Sequence, residues 1–250
     1  MDGGFALITG ESGLGKSTAL RILAEHLRDI PDVSVGVFSR PQSRTNDFYR
    51  ELGGLFDIDL KTNNRWGGYM ALRNKWRSHL EAKLFRPVLL IDEAQEMDAD
   101  VLSELRLMTS DDFDTKLLLT VIFCGDYGIF EKFKMPRIIP LANRIRTRLV
   151  FEPATKEELT TYIKHALKIA GNSNLMTPEL IHTVVERSGG NYRALMILSN
   201  ELLTEAIARD QTILDEKLYL DIFSIPKRKS GVMTAEKKTN LNSNLKEKYV

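Results

Sequence analysis

Gly10, Glu11, Ser12, Gly13, Leu14, Gly15, Lys16 and Ser17 follow the order G-x-x-x-x-G-K-[ST], and no other stretch narrows the possible folds as much. The apolar run 5–9 comes directly before it, and residues 17–27, with helical apolar spacing, come directly after. A strand, a glycine-rich turn and a helix in that order make a loop whose backbone N–H groups face inward. The loop lies at a helix end whose partial positive charge favours anions. Such a loop holds a chain of phosphates. Lys16 is spaced to reach the outer phosphates, the Ser17 hydroxyl to ligate Mg²⁺, and Thr18 to join them from the first helical turn.

A loop of this kind needs acidic partners on a neighbouring strand. The run 88–91 is apolar and ends in Asp92 and Glu93. Asp92 is suited to holding the magnesium ion, and Glu93 to polarising a water that attacks the terminal phosphate. Two acids capping the next helix would look the same in isolation; the loop upstream favours the catalytic reading. The run 117–123 leads to Cys124, Gly125 and Asp126. Two roles are open to Asp126: contact with the terminal phosphate or the attacking water, or capping of the helix that follows. Arg144, Arg146 and Arg148 occupy alternate positions before the last strand, which would place them on one side of an extended segment. They suit either phosphate bridging across a subunit boundary or a solvated edge. Arg193 falls in the first turn of a helix, where a cation opposes the helix dipole. That placement suits a residue reaching back to ATP, with a plain surface arginine as the alternative.

Apolar runs at 5–9, 33–38, 88–91, 117–123 and 149–151 alternate with helical patterns at 17–27, 65–84 and 99–108. Near-continuous apolarity suits strands buried on both faces of a parallel sheet, and the alternation argues for an α/β fold. After Pro153 the pattern is purely helical: 156–169, a helix opened by Thr177 and Pro178 to about residue 187, and one from Asn191 to about 209. The expected division is 1–153 as an α/β nucleotide-binding domain, 154–225 as a small all-α lid, and 226–250 as a flexible basic tail. Hydrophobic residues at 43% supply ample core, and the formal net charge of +1 means that any polyanion site must be a local cluster. The single cysteine excludes an intrachain disulfide and suits a reducing compartment. No apolar run approaches the roughly 20 residues of a membrane span. Met1 to Gly4 lead almost directly into the first strand, leaving no room for a signal peptide. A soluble, cytoplasmic protein without membrane contact is expected.

With these motifs in this order, the chain resembles the AAA+ ATPases over residues 3 to about 222. Within them it is most similar to the ExeA/TniB/TnsC group, through 90–97 (LIDEAQEM), 104–109 (ELRLMT), 141–145 (LANRI) and 188–195 (SGGNYRAL). The resemblance implies a P-loop AAA+ parallel sheet flanked by helices, a helical lid, and an ATP site shared between neighbours in a ring or helical filament. Arg144 would be the arginine finger acting in trans, with Arg146 in reserve, and Arg193 the sensor 2 residue. Small members of the group resemble the ATPases that accompany DDE transposases (TnsC, TniB, IstB and Mu B types). The expected function is therefore ATP-dependent, sequence-independent binding to double-stranded DNA that recruits or activates a transposase, with a target-selection adaptor as a further partner. The competing readings are an assembly ATPase acting on protein partners, as in ExeA-like secretion, and a replication-type loader. Candidate DNA contacts are Arg40, Arg44, Lys61, Arg65, Arg73, Lys75 and Arg77, which would meet phosphates; a charge-solvated helix is the alternative. Trp66 and Trp76 read as packing residues.

Overall fold

The computed structural model describes residues 3–38, 41, 44–58, 65–82, 85–111 and 116–223. Strand β1 (Phe5–Gly10) is followed by α1 (Lys16–Arg28), β2 (Val33–Phe38), α2 (Thr45–Leu55), α3 (Arg65–Glu81) and β3 (Arg86–Ile91). A single 3₁₀ turn, Ala94–Glu96, leads into α4 (Ala99–Thr109), and β4 (Ser110–Asp111) pairs with β5 (Lys116–Leu117) as a short antiparallel ribbon. Then come β6 (Thr120–Gly125), α5 (Ile129–Phe133), α6 (Ile139–Ala142) and β7 (Ile145–Phe151). Four helices complete the described chain: α7 (Lys156–Ile169), α8 (Pro178–Ser188), α9 (Tyr192–Ala208) and α10 (Glu216–Phe223).

The main sheet has the order β2-β3-β6-β1-β7, and every pairing in it is parallel. Successive side chains of a strand point to opposite faces, and both faces are covered. Leu7, Leu89 and Phe123 join the larger core beneath α2 to α6. Their neighbours Ile8, Leu90 and Cys124 pack with Leu20 and Ala24 of α1 on the other side. This two-sided burial is why the strands read as almost unbroken apolar runs. The carboxyl ends of β1, β3 and β6, at Gly10, Ile91 and Gly125, lie together at one edge, where open parallel sheets bind their ligands.

Helices α7 to α10 enclose a core of their own around Leu159, Leu180, Val184, Leu195 and Leu202. Thr155 and Glu158 form a reciprocal capping box at the start of α7, and Thr177 caps α8. Gly190, with φ of 84°, lets α8 turn into α9 where an added Cβ would lie 2.6 Å from Pro153. Among the described residues no helix is long and apolar enough to cross a membrane.

The α/β sheet followed by a helical region is the expected architecture, with local differences. The run 117–123 is not one strand: Leu118 donates to Thr109 O, so the chain bends out of the β4–β5 ribbon before β6 begins. Strand β7 starts at Ile145 rather than 149, because residues 146–150 of this edge strand are exposed and carry no continuous apolar signal. Helix α2 buries Phe48, Tyr49 and Leu52, but Gly53 and Gly54 near its end obscure its pattern. The expected tail, 226–250, lies outside the described residues.

Leu89 is fully buried in β3 between β2 and β6. Leu89→Ala should lower unfolding free energy by about 2–5 kcal/mol, seen as a lower urea midpoint with an unchanged slope.

Candidate active site

The loop after β1 reaches α1 through two residues in left-handed backbone, Gly13 (φ 87°) and Gly15 (φ 95°), a conformation that costs a residue with a Cβ. Gly15 is the N-cap of α1, no side chain caps that end, and its first turn holds no acid. The helix therefore presents free amides and its positive end to the cleft. Lys16 is buried at 8% exposure and donates to Gly10 O at 2.9 Å and Glu11 O at 2.7 Å, closing the loop around its ammonium. A buried cation beside uncapped amides is a receptor for a multiply charged anion.

The open cleft, of about 220 Å³, is lined by Ser12, Gly13, Gly15, Lys16, Ser17, Thr18 and Glu93 on the sheet side. Tyr162, Tyr192, Arg193 and Met196 line it from α7 and α9. Glu93 follows β3 in left-handed backbone, with φ 50° and ψ 42°, and its amide donates to Asp92 Oδ1 at 3.0 Å. The Cys124 thiol at the end of β6 lies within electrostatic reach of Asp92. Burial, then Asp92, pushes that thiol up to about 12, so it stays protonated; Lys16 opposes the shift and Glu93 adds to it. The ends of β1, β3 and β6 are thus within electrostatic reach of one another. Ser17 and Asp92 offer a hydroxyl and a carboxylate, the hard oxygen donors that Mg²⁺ takes alongside phosphates and water, and with Ser17 exposed in the cleft they fit that ion.

The helical region touches the loop directly. Asn191 caps α9 through Ala194 N, and its Nδ2 donates to Ser12 O at 2.7 Å. Arg193 donates from its side chain to Ser12 Oγ at 2.7 Å and from its backbone to Gly13 O at 3.2 Å. A Cβ on Gly13 would lie 2.3 Å from Asn191 Oδ1. Tyr162 and Tyr192 meet edge to face at 5.1 Å. With Met196 they form an apolar wall beyond the phosphate end, suited to a flat base. In the sequence alone these three carry no motif that marks a ligand role. Only their nearness in space reveals the wall.

Other candidates lie elsewhere. The Asp126 carboxylate accepts from Gly128 N at 2.8 Å in the turn before α5, whose N-cap Gly128 has no side-chain cap, and it is not among the cleft-lining residues. Arg144 is half-buried and donates to Ser110 Oγ at 2.5 Å. It precedes Ile145, which pairs with Phe5 at the start of β1, so it stands roughly 17 Å from the loop end of that strand. It therefore does not reach the phosphate loop of its own chain. The pairing register shifts between Phe5 and Ala6, leaving Arg146 between paired residues. The simple alternation that would put the three arginines on one side is thereby interrupted.

Of the candidate DNA contacts, Arg40 and Lys61 lie outside the described residues, as does the Arg65 side chain. Lys75 is committed within the chain, donating to Phe56 O at 2.6 Å and Asp57 O at 2.8 Å, and ties α3 to the end of α2. Arg73 stacks over Tyr69 and donates to its hydroxyl. Arg77 also has a partner, while Arg44 is exposed at the N-cap of α2. Trp76 is buried against Phe56; Trp66, expected to pack, is 69% exposed and stacks on Tyr69 at 5.3 Å.

Residues 1–133 match the family described as AAA domain. The chain is 31% identical over 211 residues to General secretion pathway protein A of Aeromonas hydrophila, covering 83% of this chain and 38% of that protein. Its fold is similar to Cdc6p from Pyrobaculum aerophilum (TM-score 0.68, 16% identity, 85% of this chain and 59% of that one). It is also similar to the Aeropyrum pernix ORC1 protein in complex with DNA (TM-score 0.59, 16% identity, 86% and 58%). The chain thus spans well under two thirds of each relative's length.

Lys16→Ala should weaken binding of a fluorescent ATP analogue by about a hundredfold or more, the loss of two charged hydrogen bonds, while thermal melting stays cooperative. Cys124 should resist iodoacetamide in the native protein and react only in denaturant, because its thiol is buried and held neutral.

Proposed function

The chain belongs to the AAA domain family, and on that premise we propose that it binds Mg-ATP in the cleft and hydrolyses it as a homo-oligomer. The observation that carries the reading is one cleft shared by an uncapped helix end, a buried lysine and an exposed glutamate. ATP lies with its phosphates on residues 10–18 and its base against Tyr162, Tyr192 and Met196. Ser17 and Asp92 hold Mg²⁺, which offsets charge on the phosphates. Glu93 accepts a proton from water as the water oxygen bonds to the γ-phosphorus and the bond to the bridging oxygen of ADP breaks. Arg193 couples residues 154–225, acting as a lid, to the nucleotide. Arg144 of a neighbouring copy, with Arg146 as the second candidate, steadies the transferred phosphoryl group, and this is what makes assembly part of the chemistry.

The client of this cycle is double-stranded DNA, on which the protein forms an ATP-state ring or filament and recruits or activates a DDE transposase in the cytoplasm. The likeness of residues 90–97 and 188–195 to the ExeA/TniB/TnsC group is compatible with this reading, as is a DNA-bound ORC1 of similar fold. A second reading has its own support: the 31% identity to General secretion pathway protein A favours an assembly ATPase working on protein partners. Sedimentation with duplex DNA at low salt separates them. The DNA reading expects co-pelleting with a non-hydrolysable ATP analogue and none with ADP; no nucleotide-dependent pelleting favours the second.

Glu93→Gln should retain nucleotide binding, lower turnover by about 10²–10⁴-fold and stabilise the oligomer in size-exclusion chromatography. Arg144→Ala should lose turnover alone and regain part of it when mixed with Lys16→Ala protein, which contributes Arg144 across the boundary. A mixture without recovery would shift the finger to Arg146.

A further inference from the structure

Gln95 sits in the 3₁₀ turn two residues after Glu93, and both ends of its amide are engaged. Its Nε2 donates to Glu93 Oε2 at 2.5 Å, and its Oε1 accepts from Asp126 N at 3.1 Å. The second bond fixes the orientation: a backbone N–H must meet the oxygen, so the NH₂ group must face the carboxylate. Gly125 is shaped for this contact. Its φ is not positive, so the backbone there does not call for glycine, yet a Cβ would lie 2.4 Å from Gln95 Oε1. The Asp126 carboxylate accepts from Gly128 N, and its own backbone amide is left for Gln95.

The side chain of Glu93 is exposed at the cleft and free to change rotamer unless something holds it. We infer that Gln95 is the positioning residue for hydrolysis: it anchors on the end of β6 and holds one oxygen of Glu93, leaving the other to take the proton from water. The inference rests on the ATPase reading of the cleft and adds to it a physical link from β6 to the general base. A base misplaced by about 1 Å can lose much of its effect, whereas the phosphate loop, which makes no hydrogen bond to Gln95 among the described residues, keeps its grip on nucleotide.

Three variants of the full chain test this, with ATP turnover and fluorescent-analogue affinity measured on each. Gln95→Ala should lower kcat about tenfold or more with analogue Kd within about twofold of wild type. Gln95→Glu separates positioning from mere support of the fold. A carboxylate accepts from Asp126 N as well as an amide does but cannot donate to Glu93, so kcat should fall at least as far as in Gln95→Ala. Gly125→Ala, which keeps Gln95 but displaces it, should show the same split. Wild-type kcat in Gln95→Ala, or full activity in Gln95→Glu, overturns the inference while leaving the ATPase reading intact. If the unmodified chain binds ATP but Glu93→Gln turns it over equally fast, the assignment of the base fails instead, and this inference with it.

Discussion

The uncapped end of α1 is the constraint from which the rest follows. A helix N-terminus with free amides is costly if buried without partners, and here no side chain supplies them. The loop residues that create this end cannot carry large side chains at Gly13 and Gly15, and their one buried cation, Lys16, is spent on holding the loop's own carbonyls. The parallel sheet brings the acids of β3 to the same edge because β1 and β3 both flank β6 and end level with it. The chain is thus organised around a place for a polyanion.

The helical region completes that place. Its only sequence requirement at the contact is compact: Asn191 caps its own helix with one side-chain atom and holds the loop with another, and Arg193 reaches Ser12. Gly13 admits Asn191 at a distance no Cβ would tolerate, so the loop and the start of α9 are in direct contact. The core of α7 to α10 is separate from the two cores flanking the sheet, so the region can respond as a unit. Arg144 stands at the far end of β1 from its own loop. In the proposed oligomer, Arg144 would therefore serve a neighbour's cleft rather than its own.

The parts of this arrangement that depend on local order were legible in the sequence. Residues 10–17 announce themselves because strand, glycines, lysine and helix are contiguous, and 88–93 because a buried strand must be apolar up to the point where its acids emerge. The carboxyl half of β7 was legible because Leu149, Val150 and Phe151 are apolar although mostly exposed, and its arginine-bearing amino half was not. What depends on tertiary neighbours was hidden. Tyr162 and Tyr192 are thirty residues apart and meet through the packing of α7 and of α9 against α8. Lys75 looked like a surface cation in a basic stretch, but the carbonyls it binds belong to the C-cap of α2 and the residue after it. The amide of Gln95 was visible as a letter beside the acids, and its two partners were not.

The claim that nucleotide lies between the loop and helices α7 and α9 can be tested by photolabelling with 8-azido-ATP in the presence of Mg²⁺, followed by peptide mapping. The account predicts that the label falls on peptides containing Tyr162, Tyr192 or Met196, and that unlabelled ATP competes it away. Label distributed over other surfaces, or insensitive to competing ATP, would contradict it.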